Sequence, residues 1–574
     1  MDELEAWLRS DAPFASRLIG GHGGSGKTRL GVELCERVET SDWLCGFLSN
    51  SADPAALDAL VAVPVARLVI VDYAESRAEQ LERLLPLFAA RATSEEPVRV
   101  LLLVRAGPRR TSDWAERLRN RSGMLDSLID ECPVSVLDDA PLALDERGRL
   151  FEAASGAFAD RGEPHAVRPT PPALDEEIFA SPLLVVIAAY LAVHGDEAPP
   201  TTRTELLDDL LAHEERYWRA SAPNLFGDDV LARRVVGLAT LSDAKSEAEA
   251  VELLRLLPDL VDSKAERLAL LARWVHDQYP GPQWWNPLEP DLVGEHLVAE
   301  TFADQPSVLA GVLAGPASTG VTRPLEVFAR AASDHPELAA AVQPVLSAQL
   351  PRLCQIAVRQ ATTEVDHDLL YGEAMTVAAA IDRAVSAIEV DAKVLPGALG
   401  LMPERSNLLL DPLAATLSLQ EVENKRQLVA REPALHEHGL ARSLNNLSNH
   451  LSMVGQREEG LAAAEEAVAI QRRLADDDPT AHEPALAAML STLSNRLAQV
   501  GRRDDGFAPI EETVEIYRRL ATADPDAHEP DLAYALNNLS NRLSQVGRRE
   551  ESAAASEEAV EIYRRLAAAD AAHH

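Results

Sequence analysis

Hydrophobic and polar positions follow two patterns along this 574-residue chain. In the first 110 residues, runs of consecutive apolar residues end at a charged residue, as in Leu68–Asp72 and Val100–Arg105. Such runs are typical of strands that are buried on both faces of a parallel sheet. Further along, apolar residues recur with helical spacing, which predicts amphipathic helices at Val230–Leu241, Glu247–Leu257 and Glu266–Gln278.

A glycine-rich loop follows the first short apolar segment and precedes an amphipathic stretch from Thr28 to Val38. The loop, residues 21–28, fits the pattern G-x-x-x-x-G-K-[ST] at every position. Glycines let such a loop fold its backbone N–H groups around phosphate oxygens, and the N-terminus of the next helix adds partial positive charge. We expect Lys27 to reach the β- and γ-phosphates and the Thr28 hydroxyl to ligate Mg²⁺. The pattern predicts an ATP or ADP site formed by Gly21, Gly23, Gly24, Ser25, Gly26, Lys27 and Thr28.

Asp72 ends the second apolar run, at the edge of the predicted sheet where open α/β sheets bind ligands. Asp72 follows Thr28 by 44 residues, a distance that suits one helix and strand unit between them. Asp72 is therefore the candidate that holds Mg²⁺ through water. A base for hydrolysis is harder to assign because Tyr73 occupies the position directly after Asp72. Glu75 is the candidate base, or else an N-terminal residue of the following helix that interacts with the helix dipole. Slow or absent ATP hydrolysis therefore stays open.

Arg105 ends the third apolar run. An arginine at the tip of such a strand faces the γ-phosphate and is a candidate to report its presence; the alternative is a surface ion pair. Three strand-like segments that end in a phosphate loop, an acid and an arginine predict a parallel sheet of the P-loop class.

Composition and charge restrict the partners and the location. A formal net charge of -38 argues against non-specific binding to nucleic acid, which needs a basic surface. Only five of the 54 basic residues are lysines, so Lys27 within a glycine-rich loop stands out. Four scattered cysteines indicate a reducing compartment and neither a disulfide frame nor a zinc site. The acidic N-terminus lacks a signal-peptide pattern and the longest apolar run, Leu183–Val193, is too short to span a bilayer, so we expect a cytoplasmic protein.

The last third of the chain repeats itself with a period of 46 residues. A fixed period of this length is typical of a solenoid of helix pairs. The recurring positions are Leu444–Asn449, Leu490–Asn495 and Leu536–Asn541 in a helix, Gly455, Gly501 and Gly547 in a turn, and Pro433, Pro479 and Pro525 in a loop.

The positions within each repeat resemble the tetratricopeptide pattern in its longer form, similar to that of kinesin light chains. Leu444 and Leu447 lie on one face of the first helix of a pair, helix A. The small residues Gly460, Gly506 and Ser552 are expected to let the second helix, helix B, approach closely. Twelve residues beyond the usual period of about 34 are expected to lengthen helix B and to add a Pro-His-Glu loop.

Arrays of this kind bind peptides or protein surfaces. Asn449, Asn495 and Asn541 recur on helix A and are candidates to hydrogen-bond the backbone of a ligand, or else to pack between repeats. The last element, Glu557–Ala569, is a helix B without a capping helix after it. Because solenoid ends need a polar cap, we expect the array to continue or to dock on a partner.

The N-terminal motifs resemble those of the STAND class of signal-transduction ATPases. The residues that carry the resemblance are the loop Gly20–Leu30 and the strands Leu68–Glu75 and Val100–Arg105. Ala180–Leu184 looks like the small-residue-plus-proline motif of this class. The resemblance implies that Pro182 contacts the adenine; the alternative is a proline at the first position of a helix, with no ligand role.

Residues 225–305 look like the winged-helix module of the same class, with a hairpin-like piece at Trp284–Pro287 and a last helix from Asp291. The resemblance implies an internal arm that clamps the nucleotide domain. His296 is a candidate for the ADP-sensing histidine of the class, or else a core or surface histidine. In this class an effector domain commonly precedes the ATPase domain. Here only about 15 residues come before the first predicted strand, which is too few for a domain. We therefore expect the effector step to be missing from this chain or supplied by a partner.

We therefore expect an ATP-binding regulatory switch that senses a protein partner through its repeats and forms a nucleotide-dependent homo-oligomer. The alternatives are a repeat scaffold with a structural nucleotide site, a turnover ATPase and, more weakly, a transcription factor. Neither direct nucleic-acid binding nor membrane binding is expected. The predicted fold is multidomain: an α/β P-loop NTPase domain (1–140), a helical domain (141–222), a winged-helix-like domain (223–305), a helical linker (306–411) and a C-terminal α-solenoid of tetratricopeptide-like helix pairs (412–574).

Overall fold

The chain divides into two compact units, Met1–Ile388 and Glu389–His574. No helix within the ranges given below has the length and apolar character needed to cross a membrane. A computed structural model describes residues 2–21, 25–38, 43–49, 54–72, 74, 77–104, 134–137, 142–160, 170–195, 198–222, 225–226, 229–281, 283–315, 320–362, 367–403, 406–407 and 409–573.

The first unit begins with a five-stranded sheet in which every strand pairing is parallel. The strand order is β2-β3-β4-β1-β5, so the third and fourth strands lie between the first two. The parallel sheet predicted from the apolar runs is confirmed. The strands are β1 (Phe14–Gly20), β2 (Trp43–Phe47), β3 (Ala66–Val71), β4 (Val98–Val104) and β5 (Val134–Val136), and the helices are α1 (Asp2–Leu8), α2 (Lys27–Val38), α3 (Pro54–Ala62) and α4 (Ala78–Arg91).

Both faces of this sheet are covered, which explains why the central strands lack an alternating pattern. On β4, Val100 and Leu102 belong to a core cluster that includes residues of α3 and α4. Leu101 and Leu103, which point to the opposite face, belong to a second cluster that includes residues of α1 and α2. All seven residues of β4 are buried.

Two arginines are buried near the amino ends of the central strands, opposite the edge that carries the site. Arg99 donates to the carbonyl oxygens of Trp7 at 3.2 Å and Ser10 at 2.7 Å, and so ties down the segment before β1. Arg67 donates to the carbonyl oxygen of Val61, at the end of α3, at 2.7 Å. Burial lowers the pKa of both guanidinium groups. Both side chains satisfy buried backbone carbonyl oxygens at the amino edge of the sheet.

The remainder of the first unit is helical among the described residues. Helices predicted from apolar spacing are confirmed at Asp229–Leu241, Glu247–Leu254, Ala265–Gln278 and from Asp291 onward. In chain order the helices are α5 (Leu144–Ala159), α6 (Pro182–His194), α7 (Arg203–Ser221), α8 (Asp229–Leu241), α9 (Glu247–Leu254), α10 (Ala265–Gln278), α11 (Asp291–Phe302), α12 (Pro306–Ala314), α13 (Thr322–Ala331), α14 (Pro336–Thr362) and α15 (His367–Ala387).

The segment expected to be hairpin-like takes another form. Within the described part of residues 223–305 there is no β-strand, and Trp284–Pro287 is a bent connection between α10 and α11. Trp285 is fully buried, and its indole N–H donates to the carbonyl oxygen of Ala272 at 3.1 Å. Its backbone N–H donates to the carbonyl oxygen of Ala244 at 3.0 Å. The segment is therefore fixed to neighbouring helices by the indole ring and not by strand pairing.

The second unit is a series of antiparallel helices with the predicted 46-residue period. The left-handed turns between helices A and B are confirmed, with φ values of 83°, 84° and 81° at Gly455, Gly501 and Gly547. The helices are α16 (Leu395–Leu399), α17 (Asp411–Arg431), the A helices α18 (Pro433–Met453), α20 (Pro479–Gln499) and α22 (Pro525–Gln545), and the B helices α19 (Arg457–Asp477), α21 (Phe507–Ala523) and α23 (Arg549–His573).

The predicted Pro-His-Glu loop is wrong. Pro433, Pro479 and Pro525 each begin a helix A, and the residues after them continue the helix. Proline suits this first position because its missing N–H would have no partner there anyway. The side chains of Asp478 and Asp524 cap two of these helices by accepting a backbone N–H at 3.2 Å. The extra residues of the long period thus lengthen helix A as well as helix B.

Close approach between helices A and B depends on the small residues at the start of helix B. A Cβ atom placed on Gly460 would lie 3.1 Å from the carbonyl oxygen of Ser448, and one on Gly506 would lie 3.2 Å from that of Ser494. In the third pair, Ser552 instead donates to the carbonyl oxygen of Ser540 at 3.0 Å. The predicted role of these positions is confirmed.

Replacement of Gly460 by valine is expected to destabilise the array by about 2 kcal/mol, because the added methyl groups must push apart two backbones already in contact. Thermal unfolding followed by circular dichroism measures the effect. Gly439→Val is the matched control, since its nearest neighbours are side-chain atoms of Lys425 at 3.8 Å or more. Equal melting temperatures for the two variants would contradict the close-packing role.

Candidate nucleotide-binding site

The carboxyl ends of the parallel strands bring the described residues of the phosphate-loop motif and Asp72 to one edge of the sheet. β1 lies between β4 and β5, and the chain places later strands on both of its sides. Connections that leave neighbouring strands toward opposite sides of the sheet leave a crevice between them at the carboxyl edge, where α/β sheets bind ligands. The glycine-rich loop leaves β1 at this point, and the backbone N–H of Gly21 donates to the carbonyl oxygen of Val104 at 3.1 Å.

Lys27 is the first residue of α2 and is buried, with 8% of its surface exposed. Its Nζ donates to the carbonyl oxygen of Gly21 at 2.6 Å and to Ser25 Oγ at 3.2 Å. Gly26, with φ of 90°, precedes it, in a left-handed conformation that residues with a side chain rarely adopt. The ammonium group thus lies over its own loop, bonded to oxygens that a phosphate group can replace.

Thr28 and Asp72 are brought together across the 44 residues that separate them. Thr28 Oγ1 donates to Asp72 Oδ2 at 2.7 Å. Mg²⁺ prefers hard oxygen ligands and is usually held by one or two protein groups, with phosphate oxygens and waters in the other positions. The hydroxyl and carboxylate oxygens of this pair fit that requirement, so Thr28 and Asp72 are the residues that would hold the ion.

The described part of the chain adds one residue that sequence reasoning missed. Arg77, just before α4, is 7% exposed and donates from Nη2 to the carbonyl oxygen of Leu48 at 2.8 Å. Burial lowers its pKa to about 10, and the negative charge of Asp72 opposes that shift. Arg77 is therefore a buried cation whose charge interacts with that of the predicted metal ligand. An arginine near the start of a helix is usually exposed, and nothing local in the sequence marks this one as buried.

Two further predicted residues lie in helices of the first unit. Pro182 begins α6, which packs against α5 and α7. His296 lies in α11, is 1% exposed, and its Nε2 is 2.9 Å from Asp208 Oδ1, which places it in the helical core. Four predicted site residues lie outside the described residues, namely Gly23, Gly24, Glu75 and Arg105.

Comparison with known proteins identifies the array. A family model for the tetratricopeptide repeat matches residues 440–480 and 532–570. The second unit contains tetratricopeptide repeats. The two matched segments coincide with α18 to α19 and with α22 to α23. We call the series α18–α23 the tetratricopeptide array.

A search of solved structures matches the chain to a signal transduction ATPase with numerous domains (STAND) that has a tetratricopeptide repeat sensor, from Pyrococcus horikoshii. The similarity covers 98% of this chain and 84% of that protein, at 13% sequence identity and a TM-score of 0.28. At these values the similarity carries no information on activity, ligand or partner. No curated protein matches the chain.

Lys27→Ala is expected to weaken ATP binding about a hundredfold, because it removes a charge-assisted bond to phosphate. Titration of a fluorescent ATP analogue measures the affinity. Lys425→Ala, which removes the same charge from the second unit, should bind like the wild type. Unchanged affinity in Lys27→Ala would exclude the loop as the phosphate site.

Asp72→Asn is expected to remove the gain in ATP affinity that Mg²⁺ gives, because it takes away the anionic oxygen of the proposed ligand pair. Affinity measured in excess EDTA should be nearly the same in wild type and variant. If Mg²⁺ still strengthens binding to the variant as it does to the wild type, Asp72 is not a metal-binding residue.

Proposed function

We propose that this protein is an ATP-binding regulatory switch of the STAND type. In this proposal the tetratricopeptide array senses a protein partner, and exchange of ADP for ATP changes the assembly state of the chain. Such a switch works only if the two nucleotide states differ in their affinity for the partner, and the coupling is reciprocal.

The observation that carries the proposal is the arrangement at the carboxyl edge of the sheet. Lys27 Nζ donates to the carbonyl oxygen of Gly21 at 2.6 Å, and Thr28 Oγ1 donates to Asp72 Oδ2 at 2.7 Å. A phosphate-binding cation and a paired hydroxyl and carboxylate are what a magnesium nucleotide requires, and the motif resemblance to STAND ATPases supports a switching role. The tetratricopeptide repeats at 440–480 and 532–570 support a protein partner.

Regulation suits this site better than rapid turnover. Tyr73 stands where many ATPases place an acid, directly after the Mg²⁺ aspartate, and it has no carboxylate to accept a proton from water. We propose Glu75 as the base of a slow ATPase and Arg105, which directly follows β4, as the group that contacts the γ-phosphate. β4 lies between β1 and β3, so its carboxyl end falls between the phosphate loop and Asp72, which supports that role for Arg105.

The second candidate is a scaffold in which nucleotide only stabilises the fold. The repeats favour it, since arrays of this kind bind partners without any nucleotide. The two candidates differ in one respect: a scaffold binds its partner and keeps its assembly state whether or not nucleotide is bound.

Mass photometry of the full chain with ADP, with a non-hydrolysable ATP analogue and with cell lysate as the source of the trigger distinguishes them. The switch predicts larger assemblies with the analogue. Lys27→Ala should lose them at analogue concentrations that assemble the wild type, because its affinity for the nucleotide is weakened. Lys425→Ala should assemble like the wild type. If the assembly state does not change with nucleotide, and Lys27→Ala has the same assembly state as the wild type, the scaffold is the correct function.

A further inference from the structure

A polar cavity of about 370 Å³ lies between the second and third repeats of the tetratricopeptide array. It is formed at the C-terminal ends of α20 and α22 and at the turn that follows α20. We call it the arginine pocket. Its polar lining consists of Arg496, Arg503, Arg542, Asn495, Gln499 and Gln545.

The guanidinium groups of this pocket bond to neutral side chains. Arg496 donates to Asn449 Oδ1 at 3.1 Å and to Gln499 Oε1 at 2.6 Å. Arg542 donates to Asn495 Oδ1 at 2.7 Å in the same way. These bonds place Asn449 and Asn495 in contacts between repeats, the second of the two roles considered for them from sequence.

Each of these two arginines also has an N–H group left over. The Nε atoms of Arg496 and Arg542 are buried and have no hydrogen-bond partner. Arg496 is 9% exposed, so its charge is largely removed from water. A buried cation without a counter-ion is unfavourable, and an anion that bonds to it offsets the cost.

No described carboxylate lies within ion-pair distance of the three arginines, although arginines elsewhere in the array are paired. Arg472 pairs with Glu512, and Arg518 with Glu558 at 2.6 Å. Burial lowers the pKa of Arg542, and the positive charge of Arg503 lowers it further. The pocket is thus a site of unbalanced positive charge in a chain of net charge -38.

The preceding junction carries one arginine fewer, because Arg457 and Arg496 occupy the positions of Arg503 and Arg542 in it. His450 occupies the position of Arg496 there, and Met453 that of Gln499. The Nδ1 of His450 is 2.7 Å from Ser418 Oγ, and burial lowers the pKa of the imidazole. Arginine at this position is therefore not required by the repeat itself, and the pocket distinguishes one junction from the other.

We propose that the arginine pocket binds carboxylate side chains of an acidic peptide segment in a protein partner. Guanidinium groups match carboxylates in geometry and bind them with two parallel hydrogen bonds. The carbonyl ends of α20 and α22 contribute partial negative charge nearby, but the bonds of Arg496 and Arg542 go to side-chain amides. The inference deepens the proposed partner sensing and does not depend on the nucleotide site.

The test is fluorescence anisotropy of a labelled hexaglutamate peptide titrated with the full chain, beside hexaglutamine and a phosphoserine peptide. Hexaglutamate should bind more tightly than the other two, and less tightly as salt increases. Arg503→Gln should weaken this binding about tenfold, the loss of one charge-assisted bond. Among the described residues the side chain of Arg503 makes no hydrogen bond or ion pair, and the substitution leaves its backbone bond to Gly506 in place, so this variant should melt like the wild type.

Arg518→Gln is the matched control, because it removes the same charge from the surface pair with Glu558 and should leave affinity unchanged. The proposal is overturned if hexaglutamate does not bind, or if hexaglutamine binds equally well. It is also overturned if Arg503→Gln does not reduce hexaglutamate binding, or if the phosphoserine peptide binds more tightly. Lys27→Ala separates the two proposals: if it assembles like the wild type but binds hexaglutamate normally, the switch fails and the arginine pocket stands.

Discussion

Parallel pairing of the strands is the constraint on which the candidate site depends. Because neighbouring strands run in the same direction, the loops that follow β1, β3 and β4 all leave from one edge of the sheet. β1 and β3 are separated by β4, which places them roughly 10 Å apart. Thr28 spans that gap from the start of α2 to reach Asp72 at 2.7 Å. The space above β4 is therefore enclosed by the phosphate loop on one side and by a carboxylate on the other.

The array achieves its regularity by different means. The same short list of contacts recurs at each junction: a glycine or serine where two helices touch, an aspartate or proline at the start of helix A, and arginine to glutamate pairs between successive B helices. Exposed pairs such as Arg426 with Glu466 each contribute little. Stability in such an array comes mainly from apolar burial between adjacent helices, and the pairs set the register.

Local patterns in the sequence were enough to predict several features. The buried strands and the 46-residue period depend on residues close together in the chain, and both are found in the structure. The phosphate-loop motif is local in the same way, and its role stays a prediction. Proline at 479 was misread because it is compatible both with a loop and with the first position of a helix. Trp285 was misread because its burial depends on helices distant in sequence. For the same reason Arg77 and Arg496 could not be recognised: a buried arginine and an exposed one look alike in a sequence.

The hydrogen bonds between successive A helices have a mechanical consequence. Each rung joins only one repeat to the next, as Arg542 to Asn495 and Arg496 to Asn449. A disturbance at one junction therefore has to pass through every intervening junction in turn, and its amplitude falls at each step according to the stiffness of that contact. At the first repeat His450 stands in place of the arginine, and its Nδ1 lies 2.7 Å from Ser418 Oγ of α17. A displacement that begins at α22 therefore passes through the junctions of α22 with α20 and of α20 with α18 before it reaches α17.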